Sequence, residues 1–425
     1  MISWIRYLFV AVGSFTAALV LAAPSVDTYP HDPEFGQGPG LTSDIAVSGA
    51  GAVIAALTAL WLRHRTGAVV ASLVGAVLVG VVALAGAWRW DMYLSAAGAG
   101  VLFGTLVVFC LDAPCRALHT VIAGSVVAAV STADPIAEYR QFASASPGTA
   151  VYVEAAVQPA NAVWLVLAVI SVAAAAAILL LGVDRAEVLD EPPGTLRELL
   201  VGLGLPVAAV ALSWSLREAV WSLDSETGGN GRWWWGMVLG PLVIGAALWL
   251  RGSQGRVLLA AFAAAVAIGT APSWIPSGWP SVALPVLLAA GGAWLGLRVA
   301  KPVAGVGVLA LVTASAIFAA SPWDNVHFAA TLMLLPAAAG YAIAAALPST
   351  AAVTAASLLF PAVMTLPLVA QFGWTSYTPL TADAAEWAPQ PWTAVAVAIS
   401  VAAVLAAGAA MAWIRDRRIG HEGRS

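Results

Sequence analysis

The chain has 425 residues, of which 61% are hydrophobic and only 9% are charged, and its net charge is −4. A soluble domain carries about 25% charged residues, so this composition excludes a soluble protein of ordinary surface. The absence of excess positive charge argues against a nucleic-acid partner. Cys110 and Cys115 flank one predicted cytoplasmic turn, and we expect them to be free thiols.

Apolar stretches of transmembrane length follow one another along the whole chain. About twenty residues of helix cross about 30 Å of hydrocarbon, and uniformly apolar runs favour helices over a barrel. The sequence therefore predicts an all-α, polytopic membrane bundle of about 14 helices (12–14). The predicted spans are 4–23, 44–62, 67–87, 93–111, 116–131, 162–182, 199–220, 235–250, 257–272, 281–299, 303–320, 327–347, 350–371 and 392–413.

The charges between these spans are sorted by side. With the N-terminus in the cytoplasm, the inner turns hold fourteen of the eighteen Lys and Arg residues, and the outer turns hold fourteen of the twenty-two acids. This is the positive-inside rule, and it predicts that both termini are cytoplasmic. Lys301 is the only lysine, which together with the heavy use of Ala, Val and Gly suggests a GC-rich bacterium. We therefore expect a multi-pass protein of the bacterial inner membrane.

A charged, proline-broken segment at 183–198 divides the chain into a first half at 1–182, with about six spans, and a second half at 199–425, with about eight. Two short repeats are present. Residues 59–63 (ALWLR) recur at 247–251, a shift of six spans, whereas residues 132–134 (TAD) recur at 381–383, a shift of eight. One simple duplication cannot produce both shifts. The ALWLR match is the longer of the two. Its shift of six spans places the two spans in excess of twelve at the C-terminal end.

The first of these repeats ends in a basic, glycine-containing turn after spans two and eight. This pattern resembles the major facilitator superfamily of secondary transporters, although His64 and Gly252 occupy the place of the family's signature acid. The resemblance implies two helical halves and a gating or topological role for these turns. Their residues are Arg63, Arg65, Gly67, Arg251, Gly255 and Arg256.

The centres of the spans contain essentially no ionisable residue, which counts against a proton-relay antiporter. Arg217, Glu218 and His327 are placed near span ends and are interpreted as interfacial anchors. We therefore expect an apolar or amphipathic substrate, contacted by polar and aromatic residues of the spans and by the proline-kinked later helices. The candidates chosen by depth and position are Ser14, Thr105, Thr313, Ser315, Thr331, Thr365, Gln371 and Trp374.

The leading hypothesis is thus a transporter or flippase-like permease, with membrane lipids as partners and no cofactor or metal. One alternative is a polyprenol-phosphate-dependent glycosyltransferase, in which Asp32 and Glu34 of the first outer loop are the catalytic acids. Another alternative is a non-catalytic subunit of an envelope complex. Twelve of the nineteen tryptophans lie near predicted outer turns and could meet a protein partner there.

Overall fold

A computed structural model describes most of the helical part of the chain. The described residues are 2–22, 44–62, 64–85, 91–111, 116–144, 170, 172–173, 195–221, 238–251, 254–271, 279–319, 323–369 and 391–422.

Within these ranges the protein forms thirteen continuous helices, and they match thirteen of the fourteen predicted spans. The remaining span, 162–182, lies almost entirely outside the described residues. The helices are α1 (Ile2–Ala22), α2 (Asp44–Trp61), α3 (Arg65–Ala85), α4 (Asp91–Leu111), α5 (Arg116–Ser144), α6 (Leu196–Trp221), α7 (Leu239–Trp249), α8 (Gln254–Ile268), α9 (Trp279–Arg298), α10 (Pro302–Ser315), α11 (Asp324–Ala346), α12 (Ala351–Val369) and α13 (Pro391–Glu422).

Six of these helices are long and apolar enough to cross a membrane, namely α1, α4, α5, α9, α11 and α13. The others are apolar but shorter within the described residues, or carry charged ends as α6 does. Large apolar side chains such as Trp294, Leu287 and Leu311 face outwards, as side chains in contact with lipid do. The predicted polytopic membrane bundle is confirmed.

The helices pack in a pattern that occurs twice. In the first repeat (α1–α5), α4 packs against α1, α2 and α3, and α1 packs against α5. In the second repeat (α8–α12), α11 packs against α8, α9 and α10, and α8 packs against α12. Helix α1 therefore corresponds to α8, α2 to α9, and so on to α5 and α12. Counting the span at 162–182, this is a shift of eight spans.

Two pairs of helices join the repeats, and they are equivalent under the same correspondence. Helix α2 packs against α12, and α5 packs against α9. We call these pairs the joining contacts. The α5–α9 contact forms around Gly124, where an added Cβ would lie 3.3 Å from the Cβ of Ala293 and 3.6 Å from the carbonyl oxygen of Ala289.

Helices α6 and α7 have no counterpart in the first repeat, and we call them the inserted pair. Helix α6 packs against α2 and α12, one helix from each repeat, while α7 packs against α8 and also touches α6 and α13. The two surplus helices therefore lie between the repeats. The packing of the described helices follows a shift of eight, whereas the ALWLR match suggested a shift of six and so placed the two additional spans at the C-terminal end.

Helices α8, α6 and α12 begin at the same end of the bundle, which we call the near end; the opposite end is the far end. Ser349, just before α12, donates a hydrogen bond to the carbonyl oxygen of Gln254 at the start of α8 over 3.5 Å. Gln254 also reaches Glu198 in the first turn of α6. Under the predicted topology the near end is cytoplasmic.

Helix α11 changes its hydrogen-bond register at Ala330–Leu334, which form a π-helical segment. Pro336, two residues after the segment, has no backbone N–H, so the carbonyl one turn earlier loses its usual donor. A local π segment is one way in which a helix accommodates such a loss, and such segments are frequent at functional sites. The segment directly follows the first turns of α11, Asp324–Ala329, which carry His327.

Candidate functional site

A buried polar cluster at the far end joins three helices of the second repeat. His327, in the first turn of α11, is only 2% exposed. Its Nε2 lies 2.7 Å from the carbonyl oxygen of Thr270, which follows α8, and its Nδ1 lies 2.9 Å from the hydroxyl of Ser315 at the end of α10. We call His327, Thr270 and Ser315 the far-end cluster.

The position of His327 corrects the sequence-based interpretation. The prediction that it anchors the protein in the interface is wrong, because its ring is enclosed by the ends of α8 and α10. The sequence contains no sign of this, since Thr270 and Ser315 lie 57 and 12 residues away. Ser315, by contrast, is one of the polar residues that the sequence predicts as candidate substrate contacts.

Four predicted hydroxyl residues are buried, and their hydroxyls donate hydrogen bonds to carbonyl oxygens of their own helices. Thr313 in α10 donates to Leu309 over 2.9 Å. Thr331, in the π segment, donates over 3.0 Å to the carbonyl oxygens of His327 and Phe328. Ser14 and Thr105 bond in the same way in the first repeat. Each hydroxyl oxygen keeps lone pairs that could accept a hydrogen bond from a ligand.

A second polar cluster fastens the inserted pair to the second repeat at the near end. The Glu198 carboxylate, 4% exposed, accepts a hydrogen bond from the Gln254 side chain over 2.8 Å and another from the backbone N–H of Thr195 over 3.2 Å. Arg197 donates to the carbonyl oxygen of Trp249 over 3.2 Å and stacks on the Trp249 ring. We call these residues the near-end cluster.

The near-end cluster escaped the sequence analysis, although the sequence contains a signal for it. Thr195 and Glu198 have the spacing of a capping box, in which the third residue of the helix accepts from the backbone N–H of the N-cap. A carboxylate at a helix start is also favoured by the helix dipole. The contact of Glu198 with Gln254, 56 residues away, could not have been predicted from the spacing of Thr195 and Glu198.

The predicted basic turns are only partly described. Arg251 is exposed between α7 and α8, and Arg256 is half-buried in the first turn of α8. Gly255 lies against α7 so closely that a Cβ would stand 2.1 Å from the carbonyl oxygen of Ala247, so this glycine is required by packing. Gly67, near the start of α3, has ordinary clearance of 3.7 Å from Leu62.

The remaining candidates cannot be placed in a site. Thr365 lies within α12 and Arg65 begins α3, but their side chains are outside the described residues. The other predicted positions that lie outside the described residues are Asp32, Glu34, Arg63, Gln371 and Trp374.

No protein-family model and no curated protein matches this sequence. Among solved structures, the human organic anion transporter MFSD10 is similar over 95% of this chain and 97% of its own, with 14% identity and a TM-score of 0.51. The fucose:proton symporter FucP of E. coli covers 97% of this chain and 98% of its own, with 12% identity and a TM-score of 0.48. The similarity to MFSD10 is the one that indicates the fold of this chain.

The chain shares its fold with MFSD10. The sequence resemblance to the major facilitator superfamily is confirmed at the level of this shared fold. In this fold, two helical halves are parallel repeats related by an axis along the membrane normal, and the twofold recurrence of the helix contacts described above agrees with that arrangement. The turn equivalent to the α2–α3 turn is then the α9–α10 turn, which carries Arg298 and Lys301.

Proposed function

We propose that this protein is a membrane transporter or flippase-like permease for an apolar or amphipathic substrate. The observation that carries the proposal is the equivalence of the joining contacts, α2–α12 and α5–α9. Two similar bodies that meet through equivalent surfaces can rock about a site between them, which is how alternating access works in transporters built from repeats. The fold shared with MFSD10 supports the same mechanism.

The chemistry of the described spans supports an uncharged or amphipathic cargo. Charged residues of the six long spans lie at their ends, as Arg6, Asp324 and Arg415 do. The buried hydroxyls of Thr313 and Thr331 already donate to their own helices, so they offer acceptor lone pairs. A permanently charged cargo would need a compensating charge within the membrane.

We place the substrate contacts on Thr313, Thr331, Thr365, Gln371 and Trp374, in or next to helices α10–α12 of the second repeat. The basic turns at Arg63–Gly67 and Arg251–Arg256 belong to the near end, where they would gate the cytoplasmic side. The location follows from the sorting of charges: the bacterial inner membrane, with both termini in the cytoplasm.

Transport is tested by reconstitution. The purified protein is incorporated into liposomes, and a panel of amphipathic compounds selected by thermal-shift binding is assayed for uptake. We expect saturable uptake that is lost in Gly124→Leu, because leucine at this position would hold α5 and α9 apart. Gly291→Leu is the matched control, since nothing lies within 4 Å of a Cβ at Gly291 on the outward face of α9.

Two results would contradict the proposal. If no bound compound is taken up, while sugar transfer from a polyprenol phosphate is observed and is lost in Asp32→Asn, the protein is a glycosyltransferase. If neither activity occurs and the protein is stable only with a second membrane protein, it is a structural subunit.

A further inference from the structure

Two exposed tryptophans are each followed, four residues later, by an arginine that stacks on the indole ring. At the end of α9, the Arg298 guanidinium lies 5.2 Å from the centre of the Trp294 ring. Towards the end of α13, the Arg417 guanidinium lies 3.5 Å from the centre of the Trp413 ring. Both separations are within the range of a cation–π interaction, about 6 Å. We call Trp294–Arg298 and Trp413–Arg417 the stacked pairs.

Both stacked pairs lie at the near end. Helix α8 begins at the near end, so α9, the next span, ends there at Arg298. The last part of α13 lies beside the start of α10, because a Cβ on Gly408 would be 3.3 Å from a side-chain atom of Val306. From this level the charged end of α13 must continue out of the near end, since the opposite direction would carry Arg417 to the middle of the bundle, against lipid.

The stacked arginines have unused hydrogen-bond donors. Neither Arg298 nor Arg417 makes a hydrogen bond or an ion pair with the residues that the structure describes, whereas Arg415 is engaged by Asp416 at 3.2 Å. Stacking occupies only the face of the planar guanidinium, and its N–H groups point outwards in the plane. A fork of parallel N–H donors fits two oxygens of one phosphate group.

The near end around the stacked pairs carries a surplus of positive charge. The described bases at the near ends of α6–α13 are Arg197, Arg251, Arg256, Arg298, Lys301, Arg415 and Arg417. The described acids there are Glu198 and Asp416, and hydrogen bonds or an ion pair already engage both. The surplus therefore favours an anionic ligand at this surface.

The far end of the same helices has exposed tryptophans without cations. Trp279, which begins α9, is 80% exposed, and Trp323, just before α11, is 62% exposed. Among the described side chains at the far ends of α6–α13 there is no Lys or Arg. Indoles lie at the headgroup level on both sides of a membrane, so the stacked arginine is what distinguishes the near end.

We propose that the stacked pairs bind the phosphate groups of anionic phospholipids in the leaflet at the near end. The indole lies against lipid and holds the guanidinium at the depth of the headgroups. The guanidinium donates two hydrogen bonds to phosphate oxygens, and the surrounding bases favour a headgroup with net negative charge over a zwitterionic one. Binding makes and breaks no covalent bond. Under the predicted topology this leaflet is the cytoplasmic one.

Lipid binding is measured on the full-length protein in an uncharged detergent. Phosphatidylglycerol is titrated in and the bound lipid is counted by native mass spectrometry, with phosphatidylcholine of the same acyl chains as the zwitterionic comparison. We expect phosphatidylglycerol to bind at least fivefold more tightly, since one basic side chain near the surface contributes about 1 kcal/mol. Equal binding of the two lipids overturns the proposal. Displacement of phosphatidylglycerol by an equal concentration of inorganic phosphate also overturns it, because the site would then take soluble anions.

Substitutions of the exposed arginines test whether the stacked pairs are the site. Arg298→Gln and Arg417→Gln should each weaken phosphatidylglycerol binding about fivefold, and together about 25-fold, because the two sites are on separate helices. Arg415→Gln is the matched control, since it removes the same charge from a guanidinium that Asp416 already engages. If it weakens binding as much as Arg417→Gln does, bulk charge attracts the lipid and the proposal fails.

A tryptophan variant tests the role of the ring. Trp413→Leu keeps an apolar side chain against lipid but removes the surface on which Arg417 stacks, so we expect weaker phosphatidylglycerol binding than in the unmodified protein. Trp323→Leu at the far end is the control and should leave binding unchanged. Unchanged binding in Trp413→Leu would show that the ring does not position the guanidinium, and the proposed site would be wrong. These measurements read lipid binding alone, so they stand or fall independently of transport.

Discussion

At their closest glycines, helix pairs within each repeat approach each other more closely than α5 and α9 do at Gly124. In the first repeat, a Cβ on Gly104 of α4 would lie 2.4 Å from the carbonyl oxygen of Ala55 in α2. In the second, a Cβ on Gly292 of α9 would lie 2.0 Å from that of Ala337 in α11. At Gly124, in the joining contact between α5 and α9, the nearest atom would be 3.3 Å away.

This difference separates rigid parts from movable ones. Backbones that approach through glycines, as in small-xxx-small motifs, form close helix pairs in membranes, and Gly100–Gly104 and Gly292–Gly296 have this spacing. The two motifs lie in equivalent helix pairs, α2–α4 and α9–α11. Each repeat is therefore a tightly packed body, whereas a methyl group at Gly124 would require α9 to move by only a few tenths of an ångström, so this joining contact is the place where small sliding between the bodies is expected.

The largest effect is expected where a side chain has no room at all. Gly292→Ala places a methyl group against the backbone of Ala337, and we expect it to destabilise the protein by about 3 kcal/mol, the upper end for overpacking. Gly291→Ala, one residue earlier, meets nothing within 4 Å and should leave the thermal unfolding midpoint unchanged or slightly raised. Equal midpoints for the two variants would show that α9 and α11 are not packed this closely.

The sequence predicted the helices of each repeat, but it did not predict which helices pack against each other. Hydropathy and charge located thirteen spans correctly, because each span must satisfy its own backbone and exclude charge from lipid. Pairing depends on contacts across long stretches of sequence, so the five-residue ALWLR match was misleading about the shift, whereas the TAD match had the shift that the packing follows. His327 and Glu198 acquire their partners only through folding.

The near-end cluster tests how the inserted pair is attached to the second repeat. Glu198→Ala removes the cap of α6 and leaves the Gln254 side chain without its carboxylate partner. We expect a loss of about 2 kcal/mol, from the capping bond and the buried hydrogen bond together. Asp416→Ala, at an exposed ion pair with Arg415, is the control and should change the unfolding midpoint little. A similar midpoint shift in both variants would mean that Glu198 does not fasten α6.

Helix α6 also lies across the boundary between the repeats, at Gly202. A Cβ there would be 3.5 Å from the Cβ of Ala56 in α2 and 3.6 Å from the carbonyl oxygen of Ala352 in α12. Gly202→Leu should therefore cost about 1–2 kcal/mol through overpacking. Gly204→Leu, two residues on with nothing within 4 Å, should be close to neutral. Thermal unfolding of both variants decides whether α6 contacts both repeats at once.

The smallest effect on stability is expected at the joining contact itself. Gly124→Ala adds a methyl group at 3.3 Å from the Cβ of Ala293, a close contact that a small separation of α5 and α9 can relieve, so we expect a change below about 0.5 kcal/mol. Sliding between the repeats should be hindered more than folding, and a barrier raised by about 1 kcal/mol slows uptake about fivefold. The uptake rate and the unfolding midpoint are measured on the same preparation, with Gly204→Ala as the control. If Gly124→Ala instead destabilises the protein as much as Gly292→Ala does, the joining contact is as rigid as the interior of a repeat, and motion between the repeats must occur elsewhere.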